Sequence, residues 1–285
     1  MFLYLYKIIP KGGITLFIIM LIVILWALYL FLIMPNVFKS RDMSVFKNFY
    51  FAHRGLHRGR EIPENSLAAF SQAMDNNYGI ELDVQLTKDR IPVVFHDYSL
   101  KRICDLDKMI YDLDYKQIRN LRLFNSDEKI PHLKEVLELV NGKVPLIIEL
   151  KTETKDITLC EIVTPYLDEY KGVFCIESFN PLALRWFKRN RPQIIRGQLS
   201  SDFVKDGEKG DKRLYFLLKH LLLNFLSKPD FIAYNYLYRK APSFVIIKIL
   251  FNTPTVGWTI GSQEVLADIE KNFDIFIFEN FSPNA

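Results

Sequence analysis

The stretch "IELDVQLTKDRIPVVFHD", residues 80–97, contains two strand-like apolar runs that are separated by only four residues, TKDR. A crossover between parallel strands needs about a dozen residues or more, so this short connection predicts an antiparallel hairpin. Folding the chain about the turn predicts two cross-strand pairs, Leu86 with Ile91 and Val84 with Val93.

The same hairpin carries side chains that are typical of catalytic sites. Glu81 and Asp83 lie two residues apart on the first strand, so their side chains project from one face. The returning strand leads to His96. We therefore expect an imidazole to lie beside two carboxylates at the end of this strand.

Elsewhere beyond residue 45, apolar β-rich runs alternate with helical patterns such as "SLAAFSQAMDNN" and "LKEVLELVNG". Eight strands are predicted: 50–53, 80–84, 146–149, 173–176, 194–198, 231–234, 255–258 and 275–278. Such alternation predicts a parallel sheet, and eight strands in a segment of this size match a TIM (β/α)₈ barrel of ~250 residues. An open doubly wound sheet is the alternative, although no GxGxxG follows the first strand. We predict an α/β fold, with the barrel over residues 46–285.

The segment "ITLFIIMLIVILWALYLFLIM", Ile14 to Met34, runs for 21 residues without a charge. This is about the length that crosses ~30 Å of hydrocarbon as a helix. A cleaved signal peptide is the competing interpretation, but its apolar core is normally ~7–15 residues long and precedes a small-x-small site. We predict a retained transmembrane helix at about 14–34, within an anchor and linker over residues 1–45. The protein would then be a single-pass cell-membrane protein, with its orientation left open.

The overall composition fits a globular chain with this anchor. Of its 285 residues, 49% are hydrophobic and 25% are charged, and the formal net charge is +4. That charge is too small to indicate a nucleic-acid partner, whereas it suits an anionic membrane surface. The three cysteines have no metal-ligand or disulfide spacing, and they predict free thiols.

Further polar residues end other predicted strands. His53 and Arg54 end the first strand, and Glu149 and Lys151 end the run "PLIIELK". In a barrel the carboxyl ends of all strands meet at one mouth, so these four residues would join the hairpin's groups there.

This combination predicts a cation site and a phosphate site. Neighbouring carboxylates repel one another unless a cation lies between them, and three oxygen ligands suit Mg²⁺ or Ca²⁺. Arg54 and Lys151 would complement a phosphate, and the two histidines could act as acid and base near neutral pH. Taken singly, each motif could be a solvated strand edge, a basic turn or a strand-end ion pair. Their convergence on one mouth favours a site.

The ordered motifs "HRG", "PENS", "ELDVQLTKD", "PVVFHD", "IIELK" and "WT" resemble the glycerophosphodiester phosphodiesterase family, and the resemblance extends from about residue 49 to 285. It implies a TIM-barrel hydrolase that cuts glycerophosphodiesters into glycerol 3-phosphate and an alcohol. The implied site residues are His53 and His96 as the acid–base pair, Glu81, Asp83 and Glu149 as ligands of one divalent cation, Arg54 and Lys151 on the phosphate, and Trp258 in the glycerol or headgroup pocket.

The chain departs from the family pattern in two places. Many members end with Thr-Asp on the last strand, where this chain has Glu279-Asn280, and the common Ser-Phe-Asp is here Ser178-Phe179-Asn180. These changes bear on substrate choice more than on catalysis. His57 and Tyr234 lie at the predicted rim without an assigned role.

Three functions are therefore considered. The first is a membrane-anchored glycerophosphodiester phosphodiesterase in which His53 is the base and His96 the acid. The second is a lysophospholipase D or a hydrolase of glycerophosphate polymers. The third is a non-catalytic, membrane-tethered binding module, which the acid–base pair argues against.

The run "KRLYFLLKHLLLNFLSK", residues 212–228, bears on the choice of substrate. Its apolar residues favour an outer barrel helix that packs on the sheet. Its interspersed basic residues also suit a helix that rests on lipid headgroups, which would place membrane lipids and lysophospholipids among the partners.

Overall fold

Eight parallel strands close into a barrel, and an antiparallel ninth strand pairs with the second. The computed structural model describes residues 11–38, 41–152 and 155–283. The strands are β1 (Tyr50–Ala52), β2 (Gly79–Leu86), β3 (Pro92–Val94), β4 (Leu146–Leu150), β5 (Phe174–Ser178), β6 (Arg196–Ser200), β7 (Phe231–Asn235), β8 (Thr255–Ile260) and β9 (Ile275–Phe278). Pairing of β1 with both β2 and β9 closes the ring, so the predicted TIM barrel is confirmed.

Helices cover the outside of the barrel and precede its first strand. In the described residues they are α1 (Lys11–Ile33), α2 (Ser44–Lys47), α3 (Leu67–Asp75), α4 (Lys101–Cys104), α5 (Tyr115–Ile118), α6 (Leu133–Val140), α7 (Thr158–Glu169), α8 (Pro181–Asn190), α9 (Lys212–Lys219), α10 (Asn224–Ser227), α11 (Pro242–Phe251) and α12 (Gln263–Ile269). Short 3₁₀ turns lie at Ile110–Asp112, Leu123–Asn125 and Tyr236–Tyr238.

The β2–β3 hairpin forms, but its predicted register is wrong by one residue. The observed pairs are Val84–Val94, Gln85–Val93 and Leu86–Pro92. The turn is tighter at its base than expected, because Thr87 and Ile91 bond to each other and leave three residues in the loop. Arg90 takes the left-handed conformation (φ 62°) that such loops require before the chain returns.

The lower half of the barrel interior is apolar. α2 closes this end: Phe46 stacks on Phe51 with 6.1 Å between ring centroids, and Met43 packs beside them. The predicted boundary at residue 45 falls within this short helix and stays a prediction. Above this layer, inward-facing positions of β2, β4 and β5 carry carboxylates, all buried. The apolar layer thus forms the floor of a polar site.

The helix α1 is long and apolar enough to cross a membrane between Gly13 and Ile33, and most of its surface is exposed. A signal sequence near an N-terminus meets the same criteria. Its carboxyl end packs on the barrel: Ile33 is buried, and its carbonyl accepts a hydrogen bond from the Asn224 amide (3.0 Å). Residues 1–10, 39–40, 153–154 and 284–285 of the two predicted segments lie outside the described residues.

The run 212–228 folds as α9 and α10 in the crossover from β6 to β7. Leu221 between them is buried in the main core, as an outer barrel helix requires, whereas Leu214 and Phe216 on α9 are exposed. The three cysteines are free, and two of them, Cys160 and Cys175, are buried.

Candidate active site

Three buried carboxylates form the centre of the site. Glu81, Asp83 and Glu149 each offer an oxygen within 4.8 Å of the others. The strand register explains this, because Asp83 lies directly beside Glu149 on β2 and β4. An all-oxygen donor set with open positions fits a hard divalent cation such as Mg²⁺ or Ca²⁺. The residues that the sequence assigned to a metal are therefore brought together.

The carboxylates differ in the charges around them. Burial, followed by repulsion from Asp83 and Glu149, raises the pKa of Glu81 well above its ordinary value. Burial alone would raise the pKa of Asp83 too, but the charges of His96, Lys151 and Arg54 lower it strongly. Asp83 is therefore firmly ionised, whereas ionisation of Glu81 is disfavoured by burial and by repulsion, and a bound cation would relieve the repulsion.

Two cations balance the charge of the cluster, each near a different oxygen of Asp83. Lys151 Nζ lies 3.3 Å from Glu149 Oε1 and 3.5 Å from Asp83 Oδ1. Arg54 Nε lies 3.5 Å from Asp83 Oδ2, and the backbone N–H of Arg54 donates to Glu81 Oε2 (3.0 Å). Both cations are mostly buried beside the acidic cluster, where they could contact an anionic substrate.

His53 lies just after β1, and its amide donates to the Phe278 carbonyl on β9. Its Nδ1 lies 2.7 Å from Glu279 Oε2, whereas its Nε2 faces Glu81 Oε2 at 3.9 Å. Burial lowers the pKa of His53, so the imidazole is neutral near pH 7. With Nδ1–H donated to Glu279, which the hydrogen bond from His53 keeps ionised, Nε2 can accept a proton.

His96 has a similar support. Its Nδ1 lies 2.7 Å from Asp97 Oδ1, and Asp97 also accepts two hydrogen bonds from Arg102 (2.6 and 2.9 Å). The other donors of Arg102 hold both oxygens of Glu64 (2.7 and 2.8 Å), and Glu64 in turn accepts from Arg54 Nη1 (2.7 Å). A continuous chain of charges therefore links His96 to Arg54, one of the two cations beside the cluster.

Two further groups complete the mouth. Trp258 on β8 is partly buried, and its indole Nε1 has no hydrogen-bond partner among the described residues. Glu177 on β5 lies beside Glu149 in register and is buried. Burial and the charges of Glu149 and Asp83 raise the pKa of Glu177 well above its ordinary value. All eight residues that the sequence assigned to the site thus lie in or beside the upper half of the barrel.

Comparison with known proteins assigns the chain to a family. Residues 53–271 match the Glycerophosphoryl diester phosphodiesterase family, a span that includes every assigned site residue. The chain belongs to this family. It is accordingly a phosphoric diester hydrolase.

Individual glycerophosphodiester phosphodiesterases agree with the assignment. Glycerophosphodiester phosphodiesterase 1 of Homo sapiens is 42% identical over 263 residues, covering 80% of this chain and 75% of the human protein. The enzyme of Caldanaerobacter subterraneus subsp. tengcongensis is 36% identical over 166 residues, covering 54% of this chain and 67% of that protein.

Two solved structures share the fold. A Thermotoga maritima glycerophosphodiester phosphodiesterase superposes with a TM-score of 0.63 at 25% identity, covering 84% of this chain and 96% of that one. An Oleispira antarctica phosphodiesterase, solved in complex with the product sn-glycerol-3-phosphate, superposes with a TM-score of 0.65 at 24% identity over 81% and 92% of the two chains.

The two departures from the family pattern have structural explanations. Asn180 is the N-cap of α8 and accepts from the Leu182 amide (2.9 Å), a role that asparagine and aspartate fill equally well. Glu279 is the partner of His53. Sequence reasoning missed the supporting residues Glu64, Asp97 and Arg102, although the first two lie within the motifs "PENS" and "PVVFHD" that it used.

Replacing Arg102 with glutamine should lower kcat by about tenfold. Hydrogen bonds to charged groups contribute ~1.5–3 kcal/mol, and we use the lower end of this range because Arg102 is half-exposed. If His96 loses its fixed orientation, this energy corresponds to a rate lower by about tenfold. Hydrolysis of glycerophosphocholine at saturating substrate measures this. The matched control is Arg122→Gln, whose partner Asp127 is fully exposed and whose ion pair contributes little.

The same variant should change the response to acid. Arg102 and Arg54 lower the pKa of Glu64 from 4.5 to about 2 against the opposing effect of burial, so this stabilisation is complete above pH 4.5 and is lost as the pH falls towards 2. Arg102→Gln should unfold at a lower temperature than the wild type at neutral pH, and it should lose less stability than the wild type when the pH is lowered. Unaltered kcat and an unaltered acid profile would contradict a supporting role for Arg102.

Proposed function

We propose that this protein hydrolyses glycerophosphodiesters to glycerol 3-phosphate and an alcohol, using His53 and His96 as an acid–base pair at a membrane. The observation that carries the proposal is the pairing of a buried three-carboxylate cluster with two histidines, each held at Nδ1 by its own carboxylate. A binding module needs no such pair. The solved relative that contains sn-glycerol-3-phosphate supports the same class of substrate.

The site residues have different roles in the proposed reaction. Arg54 and Lys151 bind the phosphate and stabilise the charge that develops on its oxygens. The unpartnered indole N–H of Trp258 can donate to a glycerol or headgroup oxygen. Glu81, Asp83 and Glu149 would hold the divalent cation, Mg²⁺ or Ca²⁺, which supplies Lewis-acid stabilisation of the phosphate when bound.

His53 Nε2 takes the proton from the attacking oxygen, either a water or the neighbouring glycerol hydroxyl. The new P–O bond forms as the P–O bond to the alcohol breaks, and His96 gives its proton to the leaving oxygen. Attack by the glycerol hydroxyl would give a cyclic phosphate, which a water then opens with the histidine roles exchanged. The lowered pKa of His53 supports its role as the base.

His53→Ala and His96→Ala should each lower kcat by ~10²–10⁴, the usual contribution of a positioned acid or base. Release of glycerol 3-phosphate from glycerophosphocholine measures the effect in detergent-solubilised protein. His132→Asn is the matched control, because His132 caps α6 away from the site and asparagine retains a capping oxygen. Near-normal turnover in both alanine variants would refute the assignment.

We propose that α1 is retained as a membrane anchor. The end of α1 and the residues that follow it are part of the barrel's packing: Ile33 is buried, Lys228 Nζ donates to the Met34 carbonyl (3.1 Å), and the Asn36 side chain donates to Asp230 (2.6 Å). Cleavage within or beyond this turn would remove those contacts.

The anchor is tested by expressing the full chain with an N-terminal tag. The protein should stay in the membrane pellet after alkaline carbonate extraction, and its mass should include the tag. A shortened protein in the soluble fraction would show that the segment is a cleaved signal.

A further inference from the structure

The chain enters the barrel from α1 at the end opposite the mouth. The Asn36 amide donates to the Pro229 carbonyl (2.9 Å), and its side chain donates to Asp230 (2.6 Å), immediately before β7 begins. The Arg41 guanidinium donates to the Pro192 carbonyl (2.7 Å), shortly before β6 begins. The mouth of a TIM barrel lies at the carboxyl ends of its strands. We call the opposite end, where the strands begin, the basal end.

Almost no chain separates the apolar helix from the basal end. The segment long enough to span a membrane ends at Ile33, which is buried in the main core cluster. Tyr29 and Leu30 pack on the same cluster, whereas residues 15–28 are exposed throughout. The part of α1 from residue 11 to residue 28 rises ~27 Å, close to the ~30 Å of a hydrocarbon core. A bilayer around α1 would therefore end where the barrel begins.

Apolar side chains are exposed at the basal end. Phe38, shortly after α1, is 87% exposed, and Ile249 on the last turn of α11 is 77% exposed. Leu250 on α11, Val45 on α2 and Val173 just before β5 are exposed as well. These five residues, termed the basal patch, all lie in segments that lead into the starts of strands. Apolar side chains in this position suit the boundary between headgroups and acyl chains.

Part of the basal patch lies near the point where the anchor joins the barrel. Asn36 is bonded to Pro229 and Asp230, and the next residue but one, Ile232, donates its amide to the Pro254 carbonyl (3.0 Å). Pro254 follows the end of α11 by three residues. The last turn of α11, with its exposed Ile249, is thus a neighbour of the segment that follows α1.

Positive charge is in excess at the basal end. In the described residues, the segments that lead into the eight barrel strands carry seven basic and four acidic side chains. Three of the basic side chains, Lys143, Lys171 and Lys271, are exposed. Basic groups beside exposed apolar groups complement the surface of an anionic bilayer.

Other exposed apolar side chains lie at the mouth. Val204 follows β6 and is 53% exposed, and Leu237 follows β7 and is 61% exposed. The mouth and the basal end are opposite ends of the barrel, so a flat bilayer that lies against one of them cannot contact the other. The entry of α1 at the basal end favours the basal patch as the membrane contact.

We propose that the basal end of the barrel rests on the surface of an anionic bilayer and that the catalytic mouth opens away from the membrane. The inference rests on the proposed anchor and phosphodiesterase activity, and it adds a second membrane contact and a direction of substrate entry. Asp83 lies ~13 Å along β2 from the start of the strand, and the loops of the mouth lie farther from the basal end. Substrate therefore enters the site from water.

Fluorescent labels at the two ends of the barrel test this placement in the full-length protein. The background is Cys104→Ser, in which the remaining cysteines, Cys160 and Cys175, are buried. Ile249→Cys carries the label at the basal end, and Leu237→Cys is the matched control at the mouth, because both replace exposed apolar side chains. The labelled proteins are reconstituted into nanodiscs of phosphatidylcholine and phosphatidylglycerol, with and without a lipid that carries a nitroxide quencher near its headgroup.

The nitroxide lipid should remove most of the fluorescence of the label at position 249 and little of that at position 237. Phe38→Cys supplies a second basal position, where the label should be quenched as at position 249. Equal quenching at 249 and 237, stronger quenching at 237, or no quenching at 249 and 38 would overturn the inference. A shortened protein that does not enter the nanodiscs would overturn it as well.

Turnover separates this inference from the proposed function. The kcat/KM for glycerophosphocholine dissolved in water should be the same in nanodiscs as in detergent, because the bilayer does not cover the mouth. Hydrolysis together with quenching at position 237 would refute the placement and leave the phosphodiesterase activity standing. Quenching confined to the basal positions, without hydrolysis of any glycerophosphodiester, would refute the proposed activity and leave the placement standing.

Discussion

The mutual repulsion of carboxylates in a buried site is the constraint on which the rest of this structure depends. Glu81, Asp83 and Glu149 meet where water is largely excluded, and such groups are stable together only if positive charge is supplied. Arg54 and Lys151 supply part of it, and a divalent cation would supply the remainder. The apolar floor of the barrel, closed by α2, keeps this charge at the mouth, where substrate can enter.

The histidines are subject to a related constraint. Each must present one nitrogen to the substrate, so the other is fixed by a carboxylate, Glu279 for His53 and Asp97 for His96. The carboxylate of His96 is held by Arg102, which also holds Glu64 beside Arg54. His96 and the phosphate-binding group Arg54 are therefore oriented by one connected network, whereas His53 is held separately by Glu279.

Much of this could be predicted from the sequence, because strand alternation and the short β2–β3 connection depend on local patterns. The eight barrel strands and the convergence of the strand-end residues follow from those patterns. The hairpin register does not, because it depends on Arg90 adopting a left-handed conformation that arginine rarely takes. The support of His96 by Arg102 was also missed, since ion pairs between loops depend on tertiary geometry.

Glu177 is a second residue whose environment could not be predicted from the sequence. It lies in the strand "FCIES", and the sequence alone does not show that it lies beside Glu149 in the barrel or that burial raises its pKa. The rings of Phe179, Phe203, Tyr215 and Trp258 likewise contact one another in a row from the β5 loop, the β6 loop, α9 and β8, which are far apart in sequence. No periodicity relates such residues, so only the closed barrel shows that they meet.

The central claim is that the three-carboxylate cluster is a cation site. Calorimetric titration of the purified, chelator-treated protein with Mg²⁺ and with Ca²⁺ tests it most directly, with Glu149→Gln as the ligand variant and exposed Glu138→Gln on α6 as the control. The account predicts saturable binding of one divalent cation, weakened by about 10–100-fold or more in Glu149→Gln and unchanged in Glu138→Gln. No saturable binding of either ion by the wild type, or equal affinity in Glu149→Gln, would contradict it.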